Sequence, residues 1–356
     1  MQFPALRLAR TYQSYVAGKV FFIAVLLVML VLALLLAVSI GAADLGLVTV
    51  ARTLLGFTET PRVEAIVWNI RLPQALASIV AGAGLAVTGV VMQSILRNPL
   101  GSPFTLGISH AAAFGAAFSV MILGGGVMTS SSVGAVNITS PLVTTASAFV
   151  FSIGAALVII AIAQLRNATP EILVLTGVAL GALFTAGTMF LQFFADDVQL
   201  AAMVFWTFGD TARATWKELG VMAGGLAVCS GYFMCNSWDY NAIDSGDETA
   251  KGLGVRVSSV RVVGMLMASL LTAFIIAFLG IIGFIGLIVP HMVRRVIGSD
   301  HRFLLPASLI GGGLLLLVSD TVARQMLAPH VLPVSVLTAF LGAPAFFWLI
   351  MLRSRS

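Results

Sequence analysis

Nine uncharged or nearly uncharged runs of roughly membrane-spanning length recur along this chain, at 20–43, 72–96, 105–124, 141–165, 172–195, 219–237, 262–280, 303–318 and 331–352. A helix needs about 20 apolar residues to cross the hydrocarbon core of a bilayer. A chain assembled from such runs is constrained to an all-α, polytopic membrane fold. Composition agrees: of 356 residues, 59% are hydrophobic and only 9% charged, against about 25% charged in soluble domains. The chain therefore reads as one membrane domain over 1–356, not as several soluble ones. Arg7, Arg10 and Lys19 before the first run imitate a secretory signal. That run is too long for a signal's apolar region, and many more spans follow, so it reads as a retained first helix.

A tenth span is argued from length. No charge occurs between Arg261 and Arg294, a stretch of 32 residues. As one helix it would extend about 48 Å at 1.5 Å per residue, across a core of only about 30 Å. Gly280, Gly283 and Gly286 offer break points, so the sequence predicts a turn near 280–283 and a shorter returning helix through His291 to about Ile297. Ten spans put both termini on one side. Thirteen of the 19 lysines and arginines then fall on the side of the termini and six on the other. The positive-inside rule makes that side cytoplasmic, including a short N-terminal segment 1–19 and a large loop at 239–261. The net charge of +5 is accounted for by such loops and calls for no nucleic-acid partner. The 124–132 loop, Gly-Gly-Gly with a later hydroxyl run, reads as a flexible turn; a short helix near 48–55 is expected in the 44–69 loop.

The chain lacks a motor. It holds no G-x-x-x-x-G-K-[ST], and its only Gly-Lys pair, Gly18-Lys19, is followed by Val20. Carboxylates such as Asp196, Asp197 and Asp320 sit in loops or at span ends. Ion-coupled carriers need ionisable or exposed-carbonyl sites at mid-depth, so energy from a separate subunit is favoured over an ion gradient. An intramembrane enzyme would need a nucleophile or metal cluster within the spans, and none is evident, so no catalytic residue and no metal site is assigned. Cys229 and Cys235 read as packing residues. His110 and His291 read the same way, with no H-E-x-x-H-like cluster near them.

Within the 239–261 loop, Ser245 followed by Glu248 fits a capping box. Gly252 and Gly254 supply stops, and Lys251 suits the negative end of the helix dipole. The predicted short helix is either a knob for a partner's groove or a plain surface helix. In the fifth span Gly177, Gly181, Thr185, Thr188 and Gln192 share one helical face. That stripe lines a path or packs against a neighbouring helix. Asp320 and Arg324 are spaced for a local pair, either interfacial or docking.

Three further stretches stand out together: NIRLPQALASIVAGAGLAVTGVVMQSILRNPLGSP at 69–103, GFIGLIVPHMVRR at 283–295 and LPVSVLTAFLGAPAFFWLI at 332–350. They resemble the FecCD-type permease family, the membrane subunits of importers for iron–siderophore, haem and cobalamin. The resemblance runs from about Asn69 to the C-terminus, with the motifs in the family's order and spacing. It implies a type II ABC importer architecture of about ten helices, embedded in lipid in a prokaryotic inner membrane and paired as a homodimer. Two cytoplasmic ATPase subunits, which carry ATP and Mg, and an external substrate-binding protein are the implied partners; this chain itself binds no cofactor. It implies that the short helix at 245–252 is the coupling helix and that the Thr185 and Gln192 stripe lies on the path. The gate falls at Thr169, Pro170 and Glu171, and Arg71 and Arg324 match external arginines that grip the binding protein. The sequence departs from the pattern at Gln74, where a second arginine is common, at Ser335, where glycine is usual, and at Pro170 and Glu171 in the gate. The expected cargo is an iron chelate of siderophore type, with haem or cobalamin as the alternative.

Overall fold

The computed structural model describes residues 4–41, 45–57, 60–124, 141–165, 169–327 and 330–353. Most of the predicted flexible turn after Gly124 lies outside them. Apart from one isolated bridge, Phe208 to Ile281, the described residues are helices and connections. The helices are α1 (Pro4–Ser39), α2 (Leu47–Leu54), α3 (Pro61–Ala65), α4 (Leu72–Ile95), α5 (Ile108–Ile122), α6 (Pro141–Leu165), α7 (Pro170–Phe194), α8 (Asp197–Thr207), α9 (Trp216–Cys235), α10 (Ser237–Asp244), α11 (Asp247–Gly252), α12 (Val257–Leu279), α13 (Ile285–Ile297), α14 (His301–Met326) and α15 (Val334–Arg353). A π-helical segment, Ile66–Arg71, fuses α3 to α4.

Seven helices among the described residues are long and apolar enough to cross a membrane. The shorter apolar α5 and α15, together with α13, complete ten. The predicted break between the seventh and eighth spans is present. Gly280 ends α12 at φ 80°, and α13 starts after Phe284, a non-glycine residue at φ 67°. The Asp210 amide donates to the Leu279 carbonyl at 2.8 Å, so the 208–210 segment braces the turn. The returning helix spans 285–297, passing through His291 and ending at Ile297 as expected, and it carries Pro290 in its interior.

Burial separates the centre from the periphery. α4 buries 21 of its 24 residues, packed by α14, α12, α13 and α9. α7 buries only Leu173, Gly177, Gly181 and Leu191. Small residues explain the tight centre. A Cβ on Gly82 would collide with the Gly312 carbonyl of α14, and one on Gly312 with the Gly82 carbonyl, so the two backbones touch. At a second crossing Gly89 lies against the Gly286 carbonyl of α13. That carbonyl has lost its helical donor because Pro290, four residues on, has no N–H. In a bilayer no hydrophobic force drives helices together, so close backbone approach of this kind supplies the association.

Candidate coupling surface and translocation path

At the end of the bundle carrying residues 237–261, the chain leaves α9 and forms two short helices in succession. The start of the second differs from expectation. Ser245 caps the C-terminus of α10, donating to the Asn241 carbonyl at 3.3 Å. Gly246, at φ 115°, is the N-cap of α11 and supplies no side-chain cap. The capping box is therefore absent, because α10 continues through Asp244 and occupies the turn that Ser245 would have opened. Glu248 pairs instead with Lys251 at 2.8 Å on the exposed surface. Gly254, at φ 86°, stops the chain as expected, whereas Gly252 is the last helical residue. Leu253 follows with 70% of its surface exposed, an apolar tip that the motif reading missed.

Two polar links tie this outcrop to the central helix. Asp247 pairs with Arg261 of α12 at 3.1 Å, and the Arg261 guanidinium also donates to the Ile95 carbonyl at the end of α4. Asp244 accepts from the Ser94 hydroxyl of α4 at 2.7 Å and meets the His301 imidazole of α14 at 2.9 Å. Burial alone would push the Asp244 carboxyl up, but His301, Ser94 and Arg294 hold it below the usual carboxylate range. Burial likewise opposes Asp300, yet bonds from Arg302 and Asn241 bring it down to about 2. Displacing α10–α11 thus pulls on α4, α12 and α14 together. Beside the outcrop lies a cavity of about 880 Å³ lined by Gln93, Arg97, Asp244, Ser245, Arg294 and Arg295, among others.

The stripe on α7 divides. Gly177 and Gly181 pack against Leu106, Gly107 and His110 at the start of α5, as the packing reading requires. Thr185 and Thr188 donate to their own helix, to the Gly181 and Phe184 carbonyls. Thr185 also lines a cavity of about 630 Å³ with Gly177, Gly181 and His110. Gln192 is half-buried near the far end. The helix is otherwise faced by large exposed apolar groups, with Phe193 at 81%. At its opposite end Thr169 is an extended N-cap without a side-chain cap bond, Pro170 occupies the first turn, and Glu171 is exposed.

Arg71 and Arg324, at the end of the bundle opposite the outcrop, are both inward-turned. Arg71 is 6% exposed and donates to the Val38 and Ser39 carbonyls at 2.8 Å each, covering the C-terminus of α1. Arg324 pairs with Asp320 at 3.1 Å. Asp320 is buried and also accepts from Thr211 at 2.6 Å and, at 3.4 Å, from Gln74. The local pair expected from the spacing of Asp320 and Arg324 is present, and Asp320 extends it into a network joining α4, α14 and the 211–213 turn, with Gln74 inside it. Truncating Arg71 to alanine is expected to lower stability by about 1–3 kcal/mol, because buried carbonyls lose their donor. A melting curve of the purified variant that matches wild type would contradict this.

The FecCD transport family model matches residues 29–352. The chain is 50% identical over 340 residues to a Methanocaldococcus jannaschii protein assigned as an ABC transporter permease, covering 96% of this chain and 97% of that one. It is 36% identical to the hemin transport system permease protein of Yersinia pestis, over 90% of this chain and 93% of that one. A solved transporter assigned to the metal-chelate type, in an inward-facing conformation, superposes with a TM-score of 0.80 at 29% identity, over 92% of this chain and 98% of that one. The ten-helix bundle, the extent of the match and the level of identity agree: the chain belongs to the FecCD transport family, the membrane permeases of ABC importers.

Proposed function

We propose that this chain carries an iron chelate of siderophore type across the inner membrane by alternating access, as a homodimer driven by two ATPase subunits and fed by an external binding protein. The observation that carries the reading is the α10–α11 outcrop, with its apolar Leu253 tip and its ties to α4 through Ser94 and Ile95. The ATPase moves that outcrop, and the three helices bound to it carry the motion into the bundle. Both termini and the outcrop are cytoplasmic in this reading. Thr169 to Glu171 gate the cytoplasmic mouth, and the Thr185 and Gln192 face of α7 lies on the path.

The burial of Arg71 and the inward pairing of the half-buried Arg324 favour a structural role for them in this conformation, with the binding protein held by other groups at the same end or after a rearrangement. Haem or cobalamin is the second reading of the cargo, favoured by the hemin-transporting relative. Reconstituting the permease with its ATPase in proteoliposomes, binding protein outside and ATP inside, tests the function. Uptake of radio-iron chelate is expected only with hydrolysable ATP. Uptake that persists without ATP and follows an ion gradient would overturn the proposal.

A further inference from the structure

The cavity between α5 and α7 contains a histidine at an unusual depth. His110 stands in the first turn of α5. A Cβ on Gly181 would lie 3.4 Å from its Nδ1, and Gly181 is near the middle of the 25-residue α7. The imidazole therefore sits about 16–20 Å from either end of that helix, at 1.5 Å per residue. α5 has only 15 residues and begins at this depth, preceded by turns at 103–107. Non-helical backbone persists at such a depth only where protein buries it or where it lines a cavity.

Among the described residues nothing satisfies Nδ1 of His110, an atom buried without a hydrogen-bond partner. Its neighbours are the Phe104 ring at 5.3 Å and the Gly181 backbone. Leaving a buried polar atom unpaired costs about 1–3 kcal/mol, and an ionisable side chain inside a membrane protein marks a functional position. Among the described residues no group of three His, Cys, Asp or Glu side chains could hold a metal ion. A bare ion would find one donor here. A chelate that brings its own donors and leaves one coordination position weakly occupied would need only one.

We propose that His110 is a specificity-determining contact for a metal chelate with one exchangeable coordination position. The ring nitrogen on the cavity side, Nε2, donates its lone pair to the metal while Nδ1 stays sealed against α7, the weakly held water leaves, and the exchange reverses as the substrate moves on. No electron is transferred. A chelate whose donors fill every position gains nothing from His110. The inference rests on the chelate-import reading above and narrows its substrate class.

The test uses the full-length permease in lipid nanodiscs, with ferric protoporphyrin IX as the open-position probe and ferrioxamine B as the filled one. Wild type is expected to give the absorption band of an imidazole-ligated ferric porphyrin, above that of empty nanodiscs. His110→Ala is expected to lose the band and bind the porphyrin about tenfold more weakly, and free imidazole should restore the band. His110→Gln, which keeps most of the volume, should lose the band while eluting as wild type on gel filtration. The same band in wild type and both variants would overturn the proposal, as would ferrioxamine bound as tightly as the porphyrin. Such a result alongside intact ATP-driven chelate uptake would leave the importer reading standing; wild type that gives the band yet shows no ATP-dependent uptake would overturn the importer reading alone.

Discussion

Proline in place of Gly252 is expected to abolish ATP-driven uptake while the protein still inserts and purifies. Gly252 is the last residue of α11 and is exposed. Proline removes its N–H and clashes with the preceding turn, a cost of about 3 kcal/mol in a helix interior, and it drives Lys251 out of the helical region. A six-residue helix with no side-chain cap has little with which to resist that. The damage stays local, because the ties to α4, α12 and α14 run through Asp244 and Asp247, ahead of the substitution. Transport and substrate-stimulated ATPase activity should therefore fall to background while the melting temperature stays near wild type. Normal uptake by this variant would remove α11 from the drive.

Leucine at Gly82 is expected to do the reverse, preventing accumulation of folded protein at all. The Gly82 and Gly312 backbones are in mutual contact, so neither side has a flexible side chain that could move aside. Overpacking a core typically costs about 1–3 kcal/mol, and here a whole isobutyl group must separate two helices at the centre of the bundle. Fluorescence-detected gel filtration of membranes expressing Gly82→Leu should show aggregate or nothing. A monodisperse peak at wild-type level would mean that α4 and α14 do not cross as described. Leucine at Gly220, where an added Cβ meets nothing within 4 Å, serves as the tolerated control.

The contrast between two identical-looking signals shows where local sequence stops being informative. Ser245 with Glu248 and Thr215 with Glu218 both present a hydroxyl three residues before a glutamate. At Thr215 the box forms, with the Glu218 carboxylate accepting from the Thr215 amide at 2.9 Å. At Ser245 it does not, because the preceding helix runs up to Asp244 and Gly246 takes the turn. A capping motif reports a helix start only where no earlier helix occupies the cap. The arginines teach a similar lesson. Arg71 and Arg324 read as outward grips, but the ends of α1 and α14 bring carbonyls and Asp320 within reach, and a buried partner outcompetes solvent. His110 was read as a packed residue because its neighbours in sequence are apolar. Only the depth fixed by Gly181 and its place on the wall of the α5–α7 cavity make it a candidate contact.

By itself, the sequence determined that this protein is a helical membrane bundle with a break near Gly280, and that it holds no G-x-x-x-x-G-K-[ST] motif. Those properties follow from run length against bilayer thickness and from the presence or absence of a contiguous motif, both one-dimensional quantities. Tertiary structure alone decided which helix is central, which arginines face inward, where α11 begins, and that an imidazole lines a cavity at mid-depth. Each of those depends on which backbone atoms, distant in the chain, come close enough to satisfy or exclude a side chain.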